Sequence, residues 1–328
     1  MTELLADIEQ AVALHVQGRP DQALAAAEKL LGRARGTPHA AAIYRHTAEF
    51  LHAQGQYTAA RELAQEAGAL ARATRHPDEI LAATLVVLQA DLYEGHVAGT
   101  HRQLGDLLEL APDQPLPLLA MGRLLLLVGE AEAAVAQLEH ARALLDEFGP
   151  QGTNPALDLH RAQALLAEAR ASLLAGHDEE AVVRAERAAA LALPTRVPAA
   201  LGRALAGLAL AHGGQAEAGR RAMAEGQALG QAVGGATQGH CLALSGALEL
   251  ALGQAPVGAE HLRASLELVP HPLERQEACY HLGRLAVAQG DRPAAESWLR
   301  RAAEPTVETH FGRLAVRGLR GLLGLRSV

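Results

Sequence analysis

The chain has 328 residues, 49% of them hydrophobic and only 2% aromatic, with a formal net charge of −8 at pH 7. This charge argues against a general nucleic-acid-binding protein, because such proteins neutralise phosphates with an excess of Lys and Arg. Two cysteines are too few for a disulfide framework. The sequence has no apolar run long enough to predict a membrane span, and its acidic start, MTELLADIEQ, does not resemble a signal peptide. We therefore expect a cytoplasmic protein.

Eight glycines recur at intervals of 34 to 47 residues, each between an apolar run and an alanine-rich segment: Gly18, Gly55, Gly95, Gly129, Gly176, Gly214, Gly253 and Gly290. A period in this range is typical of solenoids of paired helices. Glycine tolerates the left-handed backbone that ends a helix. The acidic residues or prolines that follow suit the start of a second helix.

In chain order, the first helices of the pairs are predicted at 3–17, 38–54, 77–94, 115–128, 155–175, 197–212, 236–252 and 272–289. The second helices are predicted at 20–34, 57–74, 97–110, 131–147, 178–192, 216–233, 255–268 and 292–303. A last helix at about 307–324 carries a basic stripe of Arg313, Arg317 and Arg320 beside apolar leucines. We interpret it as a solenoid cap rather than as a dock for an acidic partner or membrane surface, because three glycines weaken it as an autonomous helix.

The predicted fold is all-α, a right-handed superhelical solenoid of about eight antiparallel helix pairs with a C-terminal capping helix. The longest interval between repeat glycines, from Gly129 to Gly176, contains the Gly-, Pro- and Asn-rich segment 148–156. This segment predicts a hinge within one continuous solenoid. Repeats 1–4 would then occupy residues 1–148, repeats 5–8 residues 153–303, and the cap residues 304–328. The third repeat is irregular, since Leu88 and Thr100 stand where small residues are expected.

The segment ACYHLGRLAVAQGDRPAAESWLRRA, residues 278–302, resembles the tetratricopeptide repeat (TPR). Leu282-Gly283 and Gly290-Asp291 match the Leu-Gly and Gly-Asp positions of that family, and Ala295 matches a small position of its second helix. The resemblance implies that Gly283 and Ala295 lie where the two helices cross. The period of about 39 residues is longer than usual and resembles the helical-repeat sensor regions of LuxR-type bacterial activators.

Motifs for catalysis and nucleotide binding are absent from the sequence, which favours a non-enzymatic protein without a cofactor. One metal hypothesis brings together His240, Cys241, Cys279 and His281, which lie one repeat apart in nearly the same register. We favour buried thiols and solvated imidazoles, because zinc ligands usually come in tight local pairs. His46, His52 and Glu49 share one helix face, and we interpret them as a polar surface rather than as an acid–base site.

The TPR resemblance implies that first helices line a concave groove, apolar in its centre and polar at both ends. Candidate binding residues in this groove are Arg45, His46, Glu49, Tyr93, Arg123, Arg170, Tyr280 and Arg284. The predicted function is a scaffold with a regulatory or assembly role that binds a protein or peptide segment, with Arg123 and Arg170 as polar anchors. Two alternatives stay open: a small-molecule sensor module, and a self-associating solenoid or homodimer that buries the same leucines. No direct nucleic-acid or membrane partner is expected.

Overall fold

The computed structural model describes residues 2–191 and 195–323, and this part of the chain contains seventeen α-helices and no strand. The helices are α1 (Thr2–Val16), α2 (Pro20–Ala34), α3 (Ala40–Ala53), α4 (Tyr57–Thr74), α5 (Pro77–Tyr93), α6 (Val97–Leu110), α7 (Pro115–Val128), α8 (Ala131–Glu147), α9 (Pro155–Ala175), α10 (Asp178–Ala190), α11 (Val197–His212), α12 (Ala216–Val233), α13 (Gly235–Ala251), α14 (Ala255–Leu268), α15 (Pro272–Ala288), α16 (Arg292–Ala303) and α17 (His310–Leu322).

These helices confirm the predicted all-α fold of helix pairs, and most of their bounds agree with the prediction to within two residues. The largest difference is at α17, which begins at 310 instead of 307 because residues 304–309 form a separate connecting segment. Two predicted helix ends, at residues 192 and 324, lie outside the described residues. All eight repeat glycines have φ between 73° and 91°, the left-handed conformation that the prediction required.

Backbone contacts divide the chain into two compact units, Met1–Ala120 and Met121–Val328. The boundary falls within α7. The predicted hinge at 148–156 lies inside the second unit, and the predicted division at that loop stays a prediction.

In the first unit, α1 pairs with α2 and α3 with α4, and α3 also packs on both α1 and α5. Its core combines large side chains such as Ile43 and Phe50 with fully buried alanines such as Ala27 and Ala60. Alanine lets the helices approach closely, and the few large side chains fill the remaining space. In the irregular third repeat, Leu88 and Thr100 are both buried.

In the second unit, glycines allow close contact where α11 crosses α12. A Cβ atom on Gly207 would lie 2.8 Å from the carbonyl oxygen of Gly219, and one on Gly219 would lie 2.7 Å from that of Gly207. The same arrangement holds at Gly283 of α15, where a Cβ would lie 2.7 Å from Leu299 Cγ of α16, and Ala295 is fully buried. The predicted role of small residues at the helix crossings is therefore confirmed.

The loop between α8 and α9 is held by a buried arginine. Arg161 is 0% exposed, and its guanidinium donates hydrogen bonds to Asp146 at 2.9 Å, to Asp158 at 2.7 Å and to the carbonyls of Leu145 and Gly149. All three nitrogens of the buried head thus donate to an acceptor, which offsets the cost of burying a charged group. The predicted hinge segment is tied to the helix that follows it.

Candidate functional site

Three predicted binding residues form an ion network in the first unit. Arg45 of α3 donates to Glu49 one turn further on at 2.7 Å and to Glu79 of α5 at 2.7 and 3.2 Å. His46 Nδ1 lies 2.9 Å from the second oxygen of Glu49. Burial alone would raise the pKa of Glu49, but Arg45 and His46 hold it well below its usual value. The network links the first helices of the second and third repeats, and a binding role for these residues stays a prediction.

Tyr93, another predicted site residue, belongs to an aromatic cluster at the ends of α3 and α5 and the start of α4. Its ring stacks on Tyr57 at a centroid distance of 4.7 Å and an interplanar angle of 10°. The imidazole of His52 meets both rings edge-on at 5.0 and 5.2 Å. Such pairs favour one relative placement of the helices that carry them.

A cavity of about 470 Å³, which we call the leucine cavity, lies in the second unit. Side chains of four first helices and of α17 line it. Its lining comprises Arg170, Leu173 and Leu174 of α9, Leu205, Leu208 and His212 of α11, Leu244, Ala247, Leu250 and Ala251 of α13, Glu277, His281, Arg284 and Leu285 of α15, and Phe311 of α17. The wall is mainly aliphatic, with a few charged or polar groups, which is the composition of many ligand pockets.

Two predicted site residues, Arg170 and Arg284, therefore border the same cavity. A third, Tyr280, lies beside Phe311 at a ring-centroid distance of 5.7 Å and lines a neighbouring groove of about 590 Å³ between α15 and α17. Arg284 borders both spaces. Arg123 is half-buried on α7 and is not among the residues that line the cavity.

The polar side of the leucine cavity is built around Glu277. This carboxylate forms an ion pair with Arg170 of α9, and its other oxygen lies 4.0 Å from His281 Nε2 one turn further on. Burial lowers the pKa of His281, although Glu277 acts in the opposite direction. The imidazole is thus neutral near pH 7.

Helix α17 is fixed against α15 and α16 by a buried hydrogen-bond network. Thr309 Oγ1 donates to Gln276 Oε1 at 2.8 Å, and Gln276 Nε2 donates to the carbonyls of Ala302 at 2.8 Å and Thr306 at 2.9 Å. The same Thr309 oxygen accepts from Gly312 N at 3.0 Å and so caps the helix. These contacts agree with the predicted capping role. Sequence reasoning missed Phe311, although an aromatic residue at the start of a capping helix was a visible signal.

The residues of the zinc hypothesis have other neighbours in the structure. Cys241 and Cys279 are both buried, and burial raises the pKa of each thiol, to about 11 for Cys241. His240 lies 3.7 Å from Glu274, while His281 faces the leucine cavity. In the described part of the chain, the group with metal-ligand spacing is instead Asp91, Glu94 and His96 on the first unit.

The two carboxylates of this group form ion pairs with Arg61 of α4. The Arg61 guanidinium pairs with Glu94 and lies 3.5 Å from Asp91, and Thr58 donates to Glu94 at 2.8 Å. Ion pairing within the protein accounts for this cluster. Among the described helices, none is both long enough and apolar enough to cross a membrane, and the cytoplasmic location stays a prediction.

Comparison with solved structures bears on the fold. The crystal structure of the APC/C hetero-tetramer Cut9–Hcn1 contains a chain that is 14% identical, with a TM-score of 0.59, and the match covers 96% of this chain and 54% of that one. A tetratricopeptide repeat protein from Parabacteroides merdae is 13% identical, with a TM-score of 0.45 and coverage of 85% and 98%. Yeast Tom70 is 12% identical, with a TM-score of 0.48 and coverage of 94% and 59%. The chain has a TPR-like helical-repeat fold.

This TPR-like chain spans about half the length of the chain that it matches in the Cut9–Hcn1 structure. No protein-family model and no curated protein sequence matches it. The resemblance of its long repeats to the sensor regions of LuxR-type activators stays a prediction. At these identities the likeness describes the fold, and function has to be argued from the site.

Proposed function

We propose that this chain is a non-enzymatic TPR-like scaffold that binds a segment of a partner protein in the leucine cavity, with a regulatory or assembly role. The observation that carries the proposal is the cavity itself, where partly exposed leucines of three first helices, Leu174, Leu250 and Leu285, border open space. Apolar surface exposed in this way favours a ligand that covers it, by roughly 25 cal/mol for each Å² removed from water.

A protein segment suits the shape and chemistry of this site. Leucines at one-turn spacing on adjacent helices form a wall into which two or three apolar side chains of a bound helix or extended segment can fit. Cut9 is found with Hcn1 in a hetero-tetramer, and this precedent for a related fold supports a protein partner here.

The proposal is tested by filling the cavity. Ala247 lines it at a half-buried position of α13, so Ala247→Phe adds a ring where the segment would bind. We would select binders from a displayed library of random twelve-residue peptides and measure their affinity for each variant by fluorescence anisotropy. Binding should weaken at least tenfold in Ala247→Phe and should not change in Ala224→Phe, which places the same ring on an exposed position of α12. Equal affinity for both variants would place the binding elsewhere.

The second candidate, a small-molecule sensor, has its own supporting observation. The ion pair between Arg170 and Glu277 joins α9 to α15 at the border of the cavity, and about 470 Å³ lies within the size range of small-ligand sites. A thermal-shift panel of metabolites discriminates between the candidates, because a ligand that binds only the folded chain raises its melting temperature. The sensor role requires a shift that disappears in Ala247→Phe.

Self-association, the remaining alternative, would cover the same leucines with a second copy. Sedimentation velocity over a hundredfold range of protein concentration tests it directly. A dimer that dissociates in Ala247→Phe but not in Ala224→Phe would assign the cavity to the dimer interface.

A further inference from the structure

The charges around the leucine cavity do not balance. Two guanidinium groups, Arg170 and Arg284, face one carboxylate, Glu277, which Arg170 already binds. Arg284 is exposed and, among the described residues, forms no hydrogen bond or ion pair. Since burial keeps His281 neutral near pH 7, the cavity has one positive charge without an internal partner.

The neighbouring groove adds to the same positive character. Arg317 of α17 lines that groove together with Arg284, and within the described chain it also makes no ion pair. Both guanidinium groups stand beside apolar side chains, Leu285 in the cavity and Leu314 in the groove. A planar guanidinium at such a border is suited to bind a carboxylate through two parallel hydrogen bonds.

We infer that the partner segment carries an acidic residue next to its apolar anchor residues, and that the carboxylate of this residue binds Arg284. The inference rests on the proposed function, in which the cavity holds a protein segment. The apolar side chains pack against the partly exposed Leu174, Leu250 and Leu285. The acidic side chain stays at the rim, where Arg284 borders both the cavity and the groove. A basic segment would meet two or three like charges at this rim, which selects against it.

The inference is tested by peptide selection against the full-length chain and its Arg284→Glu variant, with the random twelve-residue library as the probe. Peptides that bind the wild-type chain should be enriched in Asp or Glu beside apolar residues. Peptides selected on Arg284→Glu should instead be enriched in Lys or Arg. Arg263→Glu is the matched control, because Arg263 is exposed on α14, away from the cavity lining, and its replacement changes the net charge equally.

A charge swap gives the quantitative test. Replacing the enriched acidic residue of one selected peptide by Lys should weaken its binding to the wild-type chain by about tenfold or more, and Arg284→Glu should restore most of that loss. If the Lys peptide binds both chains equally, or if acidic residues are not enriched, the inference is wrong. If Arg284→Glu unfolds the chain, as judged by circular dichroism, Arg284→Gln serves instead and should lessen the preference for the acidic peptide.

The outcomes for the inference and for the proposed function are distinguishable. Peptides that lose affinity in Ala247→Phe but show no acidic preference support the cavity as a peptide site and overturn the role of Arg284. A selection that yields no Ala247-dependent peptide overturns both. Binding of anionic phosphatidylserine vesicles that depends on Arg284, without acidic enrichment among peptides, would assign the arginine to a membrane surface and also overturn the inference.

Discussion

Replacing Arg161 by methionine should destabilise the second unit strongly. Methionine keeps an unbranched apolar stem but removes the donors that hold Asp146, Asp158 and the carbonyls of Leu145 and Gly149. The Asp158 side chain, only 7% exposed, would remain as a buried charge without its cation. Breaking a buried pair in this way costs about 3–5 kcal/mol of unfolding free energy.

The loss of stability is measured by urea unfolding, with tryptophan fluorescence as the signal. Trp298 is the single tryptophan of the chain and lies in α16 of the second unit. Arg161→Met should lower the free energy of unfolding by about 3–5 kcal/mol, whereas Arg263→Met on the exposed face of α14 should change it by less than about 0.5 kcal/mol. A loss below about 1 kcal/mol for Arg161→Met would refute the view that the buried network holds this region together.

The same variant tests the predicted hinge at 148–156. Asp158 also accepts a hydrogen bond from Gly152 N at 2.9 Å, so the network joins the loop to α9 from both sides. Hydrogen exchange of the loop amides should be slow in the native chain and fast in Arg161→Met. Equal exchange in both proteins would mean that the loop already opens independently of Arg161, as a hinge would.

Further predictions concern packing, thiol reactivity and pH. Gly207→Ala, whose Cβ would lie 2.8 Å from the carbonyl oxygen of Gly219, should destabilise by about 1–3 kcal/mol in urea unfolding, whereas Gly32→Ala, with open space around it, should stabilise by about 0.5–1 kcal/mol. Cys241, with a pKa of about 11, should react with a thiol reagent at pH 8 far more slowly in the folded chain than in the unfolded one, and rapid native labelling would contradict its burial. Burial lowers the pKa of His281, so below about pH 6.5 the unfolded state binds more protons than the folded state. The melting temperature should therefore fall as the pH is lowered from 7.5 to 5.5, and it should fall less in His281→Asn.

Local signals made the helix ends predictable from the sequence. A left-handed glycine follows each first helix, and a proline stands in the first turn of several helices, among them α5 and α11. Residues close in sequence therefore set these boundaries. The start of α17 was predicted three residues early because its cap, Thr309, is set by Gln276 on another helix. A contact so distant in sequence leaves no local signal.

Partners from other repeats explain why the candidate sites were only partly predictable. Arg45 and Glu49 were both predicted to line the groove, but Arg45 also donates two hydrogen bonds to Glu79 on the next first helix, 34 residues further along the chain. Arg45 lies ten residues before Gly55, whereas Glu79 lies sixteen before Gly95, so a comparison of repeat registers does not find this pair. Arg161 was overlooked, and two of its acceptors are backbone carbonyls that no side-chain pattern reveals.

Apolar character alone does not distinguish a binding wall from a core in this chain. Leu85 and Val86 lie on α5, a first helix of the first unit, and each is only 4% exposed. Leu174 lies on α9, also a first helix, and is 40% exposed beside the leucine cavity. The repeat register determines which side a leucine faces, whereas the separation of the helices on that side determines whether it is covered. In the second unit the wall is exposed at Leu174, and Arg284, which pairs with no acidic group of the described residues, stands at its rim; both features favour binding there.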